Sequence, residues 1–257
     1  MLGSRILTAA VLAAVFIGLL FYSPRIGWLG FCALSLGAAA WEWGRLSRLG
    51  TAGSVVLVAV AVGLMLAAGA WQAWFYILAL VFWVIAVPLW LWRRPKSPPR
   101  LLLAAVGLLI LTAAFLALTE LRDRSPALVL AVMAVVWISD IAAFFTGRRF
   151  GRHKLAPAIS PGKSWEGVYG ALAAVAVYGV LWSFLPAAAV PASAAWLIGL
   201  SLAFAVLGII GDLFESQMKR DAGVKDSGRV LPGHGGVLDR IDALLPVLPA
   251  AAWVFAR

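Results

Sequence analysis

Charge is scarce in this chain. Asp, Glu, Lys and Arg make up only 12% of its 257 residues, about half the ~25% usual for soluble domains. Hydrophobic residues make up 63%, and the mean hydropathy is +0.98. This balance excludes a globule with a polar shell and points to an integral membrane protein with many crossings. Cysteine is nearly absent. Cys32 stands alone, so no intrachain disulfide forms, and its apolar setting suits a packed hydrophobe rather than a nucleophile. No soluble domain, low-complexity tail or convincing internal repeat can be made out. Acidic residues are also few, eleven against twenty-one basic ones. The resulting pI near 10.6 resembles that of a nucleic-acid binder. Basic loops that set membrane topology explain it better, so no nucleic-acid partner is expected. A small nucleotide or an anionic lipid fits either explanation.

What is present is apolar sequence in long runs. A membrane span needs about 20 apolar residues. The expected fold is an all-α, polytopic membrane helix bundle of about nine spans: Ile6–Tyr22, Gly27–Trp43, Ser54–Ala70, Trp71–Trp92, Leu101–Thr119, Ala127–Thr146, Val168–Leu185, Ala192–Ile210 and Gly235–Phe255. The third and fourth are parted only by the Gly69–Gln72 corner, where a different split is open. The first, flanked by Arg5, lacks a convincing small-residue cleavage site and is read as a retained helix rather than a signal peptide. With this count, seventeen of the twenty-one Lys and Arg residues fall on one side. The other side holds only Arg25, Arg122, Arg124 and Arg257. The basic side, with the N-terminus, is expected to face the cytoplasm. Trp28, Trp41, Trp43, Trp71, Trp74, Trp90 and Trp92 fall near span ends, where indoles sit well among lipid headgroups. Residues 1–257 read as one integral membrane domain, with 1–126 as N-terminal helices and 127–257 carrying the chemistry.

The scarce charge is concentrated. Gly211–Asp242 holds six of the eleven carboxylates: Asp212, Glu215, Asp221, Asp226, Asp239 and Asp242. It also holds Lys219, Arg220, Lys225, Arg229, Arg240 and His234. Asp212, Glu215 and Lys219 are spaced i, i+3, i+7 and share a helix face, with Ser216 beside them. Carboxylates followed by a cation suit a divalent metal with a phosphate next to it, since Mg²⁺ takes oxygen ligands from a few carboxylates, phosphates and water. A solvated helix end with internal ion pairs has the same spacing. The following loop, punctuated by glycines that include Gly235 and Gly236, can bring N–H groups close to anionic oxygens. Asp239 and Asp242, spaced i, i+3, can point back toward Asp212.

The run SQMKRDAGVKDSGRVLPGHGGVLDRID, Ser216–Asp242, resembles the signature of the phosphatidate cytidylyltransferases (CDP-diacylglycerol synthases). The pattern is serine, two residues, Lys-Arg, four residues, Lys-Asp, then Pro-x-His-Gly-Gly and Asp-Arg-x-Asp, and every fixed element is present at the right spacing. A second block, Trp137–Gly151 followed by His153–Pro157 and Ser160–Gly167, is similar to the family's middle region. Phe145 departs from the tyrosine expected in many members. Together the blocks cover roughly a quarter of the chain. The resemblance implies the reaction CTP + phosphatidate → CDP-diacylglycerol + pyrophosphate, in phospholipid biosynthesis at a bacterial-type inner membrane. It implies Mg²⁺ held by Asp212, Asp239 and Asp242, with room for a second cation. Lys219, Arg220 and Lys225 would neutralise phosphates. Lys163, Ser164, Ser216, Asp226, His234, Gly235, Gly236 and Arg240 would bind substrate or shape the pocket. A homodimer is a family-level expectation.

Three further residues need placing. Gly162-Lys163-Ser164 is not a P-loop, because Pro157 stands where the motif needs glycine. Asp140 lies inside the sixth apolar run. A carboxylate at the bilayer centre costs ~2.5–3.5 kcal/mol on insertion scales, so it is expected to line a polar pocket reaching down from the site, or else to make an interhelical hydrogen bond. Glu42, between Trp41 and Trp43, is expected to pair with Arg45 near the surface. Two other functions have different signatures. A CTP-dependent polyprenol kinase would lack the long Ser216–Asp242 signature. A transporter would spread its charge through the bundle midplane.

Overall fold

The computed structural model describes residues 2–95, 98–185, 192–228, 230 and 235–255. The chain folds into helices α1 (Leu2–Tyr22), α2 (Arg25–Leu46), α3 (Gly50–Leu66), α4 (Gln72–Val81), α5 (Val87–Arg93), α6 (Arg100–Arg124), α7 (Pro126–Phe150), α8 (Trp165–Trp182), α9 (Ala194–Asp221), α10 (Leu238–Ile241) and α11 (Leu244–Phe255). Among the described residues five segments are long and apolar enough to cross a membrane: Gln72–Arg93, Arg100–Arg124, Pro126–Phe150, Trp165–Trp182 and Ala194–Asp221. This is the architecture of an all-α membrane protein.

Local chemistry explains where the helices start and stop. Ser125, Ser164 and Ser193 cap α7, α8 and α9, each hydroxyl accepting from a backbone N–H three residues on. Such caps satisfy donors that have no partner within the helix. Pro126 opens α7, where its missing N–H costs nothing. Arg148 and Arg149 end α7, and Lys219 and Arg220 end α9, which suits the negative end of the helix dipole.

The structure departs from the sequence expectations in several places. An antiparallel hairpin, β1 (Lys154–Ala156) with β2 (Ser160–Ser164), joins α7 to α8. Between α4 and α5 the backbone widens into a π-helical turn, Phe82–Ala86. The last apolar helix starts at Leu244, not Gly235, because the segment before it turns aside to make α10. Trp28 and Trp43 are fully buried rather than interfacial. Trp43 donates its indole N–H to the Leu103 carbonyl at 2.7 Å and stacks on Phe214, so its one polar atom is satisfied inside the bundle. Trp74 and Trp92, by contrast, are exposed.

The core runs along α6, where Ile110, Leu111, Ala113, Leu116 and Ala117 have no exposed surface. Around it pack α2, α3, α4, α7 and α11. The crossing of α9 with α11 positions the site. A side chain on Gly211 would stand 2.6 Å from the Asp242 carbonyl and 2.9 Å from Pro246 Cδ. Only glycine permits this approach, and it sets Asp212 beside Asp242.

Candidate active site

Four pieces of chain converge here: the end of α9, the β1–β2 hairpin, residues 225–228 and 235–237 with α10, and α2. Asp212 lies on α9, one turn before Ser216. Its Oδ1 accepts from the Ser216 hydroxyl at 3.2 Å, and its Oδ2 pairs with Lys163 Nζ at 2.5 Å. Lys163 comes from β2, so the hairpin places a cation on the first carboxylate. Asp140 of α7 feels the charges of both Asp212 and Lys163. Asp140 itself is exposed on its helix.

A second ion-pair group lies about two turns further along α9. Lys219 Nζ forms an ion pair with Glu215 Oε2 one turn back and donates a hydrogen bond to Asp239 Oδ1 at 2.7 Å. Glu215 is only 1% exposed. Asp239 is richly bonded. Its Oδ2 accepts from the Gly236 N–H at 2.8 Å and the Ser227 N–H at 3.0 Å. Burial works against the charge on Asp239, yet the Lys219 ammonium and these N–H groups outweigh it and hold the carboxyl below its ordinary value. Asp242 sits in the break between α10 and α11 and accepts from the Ala243 N–H at 2.8 Å. Burial, and then the negative charge of Asp212, push it up to about 7.

The other expected site residues have distinct positions. Ser164 is buried and caps α8, accepting from the Gly167 N–H at 3.2 Å. Arg220 reaches the Ile159 and Val224 carbonyls, both at 3.4 Å, and so ties the hairpin to the end of α9. Lys225, Asp226 and Arg240 are exposed. Gly235 adopts a left-handed backbone, φ 83°, directly ahead of Gly236. His234 lies outside the described residues.

Among the described residues no three His, Cys, Asp or Glu side chains form a ready-made metal cage. Asp212 and Asp242 nonetheless form an oxygen-only pair whose mutual repulsion a hard cation would relieve. A separate cavity of about 230 Å³, lined by Trp43, Arg48, Arg100, Met218 and Asp221 among others, contains none of the expected site residues.

Glu42 is the residue that sequence reasoning misplaced. It does not lie at the surface with Arg45. It is 1% exposed and accepts from the Ser227 hydroxyl at 3.0 Å, the Val237 N–H at 3.0 Å and the Leu238 N–H at 2.9 Å. The available signal was its place in an apolar run between two tryptophans.

The profile of the family described as "Cytidylyltransferase family" matches residues 3–256. A phosphatidate cytidylyltransferase of Pseudomonas aeruginosa is 40% identical, over 98% of this chain and 97% of that one. The Haemophilus influenzae protein of the same name is 34% identical over 99% of both. That of Thermotoga maritima is 41% identical over 52% of this chain and 51% of its own. With end-to-end matches of this kind, the chain belongs to the cytidylyltransferase family.

Proposed function

We propose that this protein transfers the cytidylyl group of CTP to phosphatidate, giving CDP-diacylglycerol and pyrophosphate. The observation that carries the reading is the convergence of Lys163, Asp212, Lys219, Asp239 and Asp242 at one end of α9, in a chain that aligns end to end with proteins named phosphatidate cytidylyltransferase.

The chemistry needs little acid or base assistance. A phosphate oxygen of phosphatidate is already anionic near neutral pH. It attacks the α-phosphorus of CTP, a new P–O bond forms, the bond to the bridging α–β oxygen breaks, and pyrophosphate leaves. The obstacle is bringing two anions together, so catalysis is positioning plus charge neutralisation. Lys163 and Lys219 are held in place by their carboxylate partners and can turn to incoming phosphates. Arg220 and Lys225 add positive charge where the nucleotide enters. Ser216 orients Asp212, and the N–H groups around Gly235 and Gly236 shape the loop.

Asp212 and Asp242, and by the family resemblance Asp239, would hold Mg²⁺. The ion would supply positive charge against the CTP phosphates. A second cation fits the number of carboxylates. The apolar runs and the segregation of Lys and Arg favour nine crossings, with the site at the cytoplasmic interface where a phosphatidate headgroup meets CTP from solution. Purified protein given CTP, phosphatidate and Mg²⁺ should release pyrophosphate in step with formation of a cytidine-containing lipid. Pyrophosphate released without a lipid product would reject the reading.

A further inference from the structure

We propose that Glu42 is a positioning residue of this site. From α2 it ties Ser227 to Val237 and Leu238 and so fixes where Asp239 stands. The inference rests on the active-site reading above. Its basis is geometric. One carboxylate, 1% exposed, takes the Val237 N–H on Oε1, and the Leu238 N–H and Ser227 hydroxyl on Oε2. Ser227 is shared: its single hydroxyl proton lies between Glu42 Oε2 at 3.0 Å and Asp239 Oδ2 at 3.1 Å, while its N–H goes to Asp239 Oδ2 at 3.0 Å. Asp239 in turn receives the Gly236 N–H at 2.8 Å. Glu42 and Asp239 therefore hold the same loop from opposite sides, with Ser227 between them.

Two glycines fit this arrangement. A Cβ on Gly228 or Gly236 would run into the carboxylate oxygens of Glu42. The loop main chain thus wraps directly against the carboxylate, and no side chain at either position leaves room for it. A buried carboxylate is costly unless fully hydrogen-bonded, and here it receives three donors. The same carboxylate would serve poorly as a loose surface charge. Residues 1–126 carry none of the sequence motifs, yet through Glu42 they supply a part of the site.

Glu42→Gln tests this with nearly unchanged shape. A glutamine has one acceptor oxygen, so its amide N–H₂ must face either the Val237 or the Leu238 N–H, and one half of the clamp is lost. Hydrogen exchange in the detergent-solubilised protein should speed up at least tenfold for residues 236–239 and stay unchanged in α9 and α11. The kcat per folded molecule should fall at least tenfold, with less than a twofold change in the KM for phosphatidate. Ser227→Ala should lower kcat about fivefold, and the double variant should be no worse than Glu42→Gln alone. Unchanged exchange, a kcat within twofold of the parent, or effects that multiply in the double variant would overturn the proposal. Should Glu42→Gln fail to fold, Gly228→Ala, whose methyl would meet the Glu42 carboxylate, decides instead, and unchanged exchange at residues 236–239 rejects the clamp. A parent protein inactive on CTP and phosphatidate would reject the function instead, while the exchange measurement still decides the clamp.

Discussion

Lys219 is the cation whose removal separates stability from chemistry. Its ammonium bridges Glu215, which is 1% exposed, and Asp239, whose side chain is 7% exposed. Lys219→Met keeps the aliphatic stem and deletes the charge. Breaking a buried pair by removing one partner costs about 3–5 kcal/mol. The low end applies here, because Lys219 retains 12% exposure and Glu215 can take up a proton rather than stay charged. About 3 kcal/mol corresponds to a fall of roughly 6–12 °C in apparent Tm for a chain of this size, followed by tryptophan fluorescence in detergent. Glu215→Gln added to Lys219→Met removes the stranded charge and should restore at least half of that loss. It should not restore turnover, since Asp239 still lacks its cation, and both variants should stay at least ~100-fold below the parent in kcat. A single variant as stable as the parent would refute the reasoning. So would a double variant no more stable than the single, or one with recovered turnover.

Further outcomes follow from the same geometry. Asp242→Asn should abolish cytidylyl transfer, leaving at most ~1% of the parent rate. Without metal it should hold or raise the Tm, because it removes the repulsion with Asp212. A clear drop in Tm with activity intact would contradict this. Asp242 stands at about 7 in the folded protein against roughly 3.9 in an unfolded chain. Its contribution to stability is therefore full below the unfolded value and is lost as pH rises toward 7. Mg²⁺ needs the ionised form, so its affinity by calorimetry should rise about tenfold from pH 6 to pH 8, and a flat profile would exclude Asp242 as a ligand. Gly211→Ala should destabilise by about 1–3 kcal/mol and lower activity as well, because the added methyl meets the Asp242 carbonyl and Pro246. A Tm and turnover equal to the parent's would show that the α9–α11 crossing yields freely.

The apolar runs and the Ser216–Asp242 signature lie along one dimension and were readable there. Periodicity places Glu215 and Lys219 on one face, and the structure bonds them. What linear spacing does not carry is which distant residue closes each pair. Lys163 meets Asp212 only because a hairpin folds back across α9. Glu42 looked local, with Arg45 one turn away, but three donors from the 227–238 loop outweigh one solvated ion pair. Trp28 and Trp43 looked interfacial by position, yet lateral packing buries them. The start of α11 was misread because hydropathy does not register that Asp239 has loop N–H groups to satisfy.

The most direct test of the proposed reaction follows the phosphorus atoms of CTP. Purified protein in detergent would receive phosphatidate, Mg²⁺ and CTP labelled at either the α- or the γ-phosphate. Cytidylyl transfer puts α-label in the lipid and γ-label in pyrophosphate. γ-Label in the lipid would contradict it and make the protein a kinase.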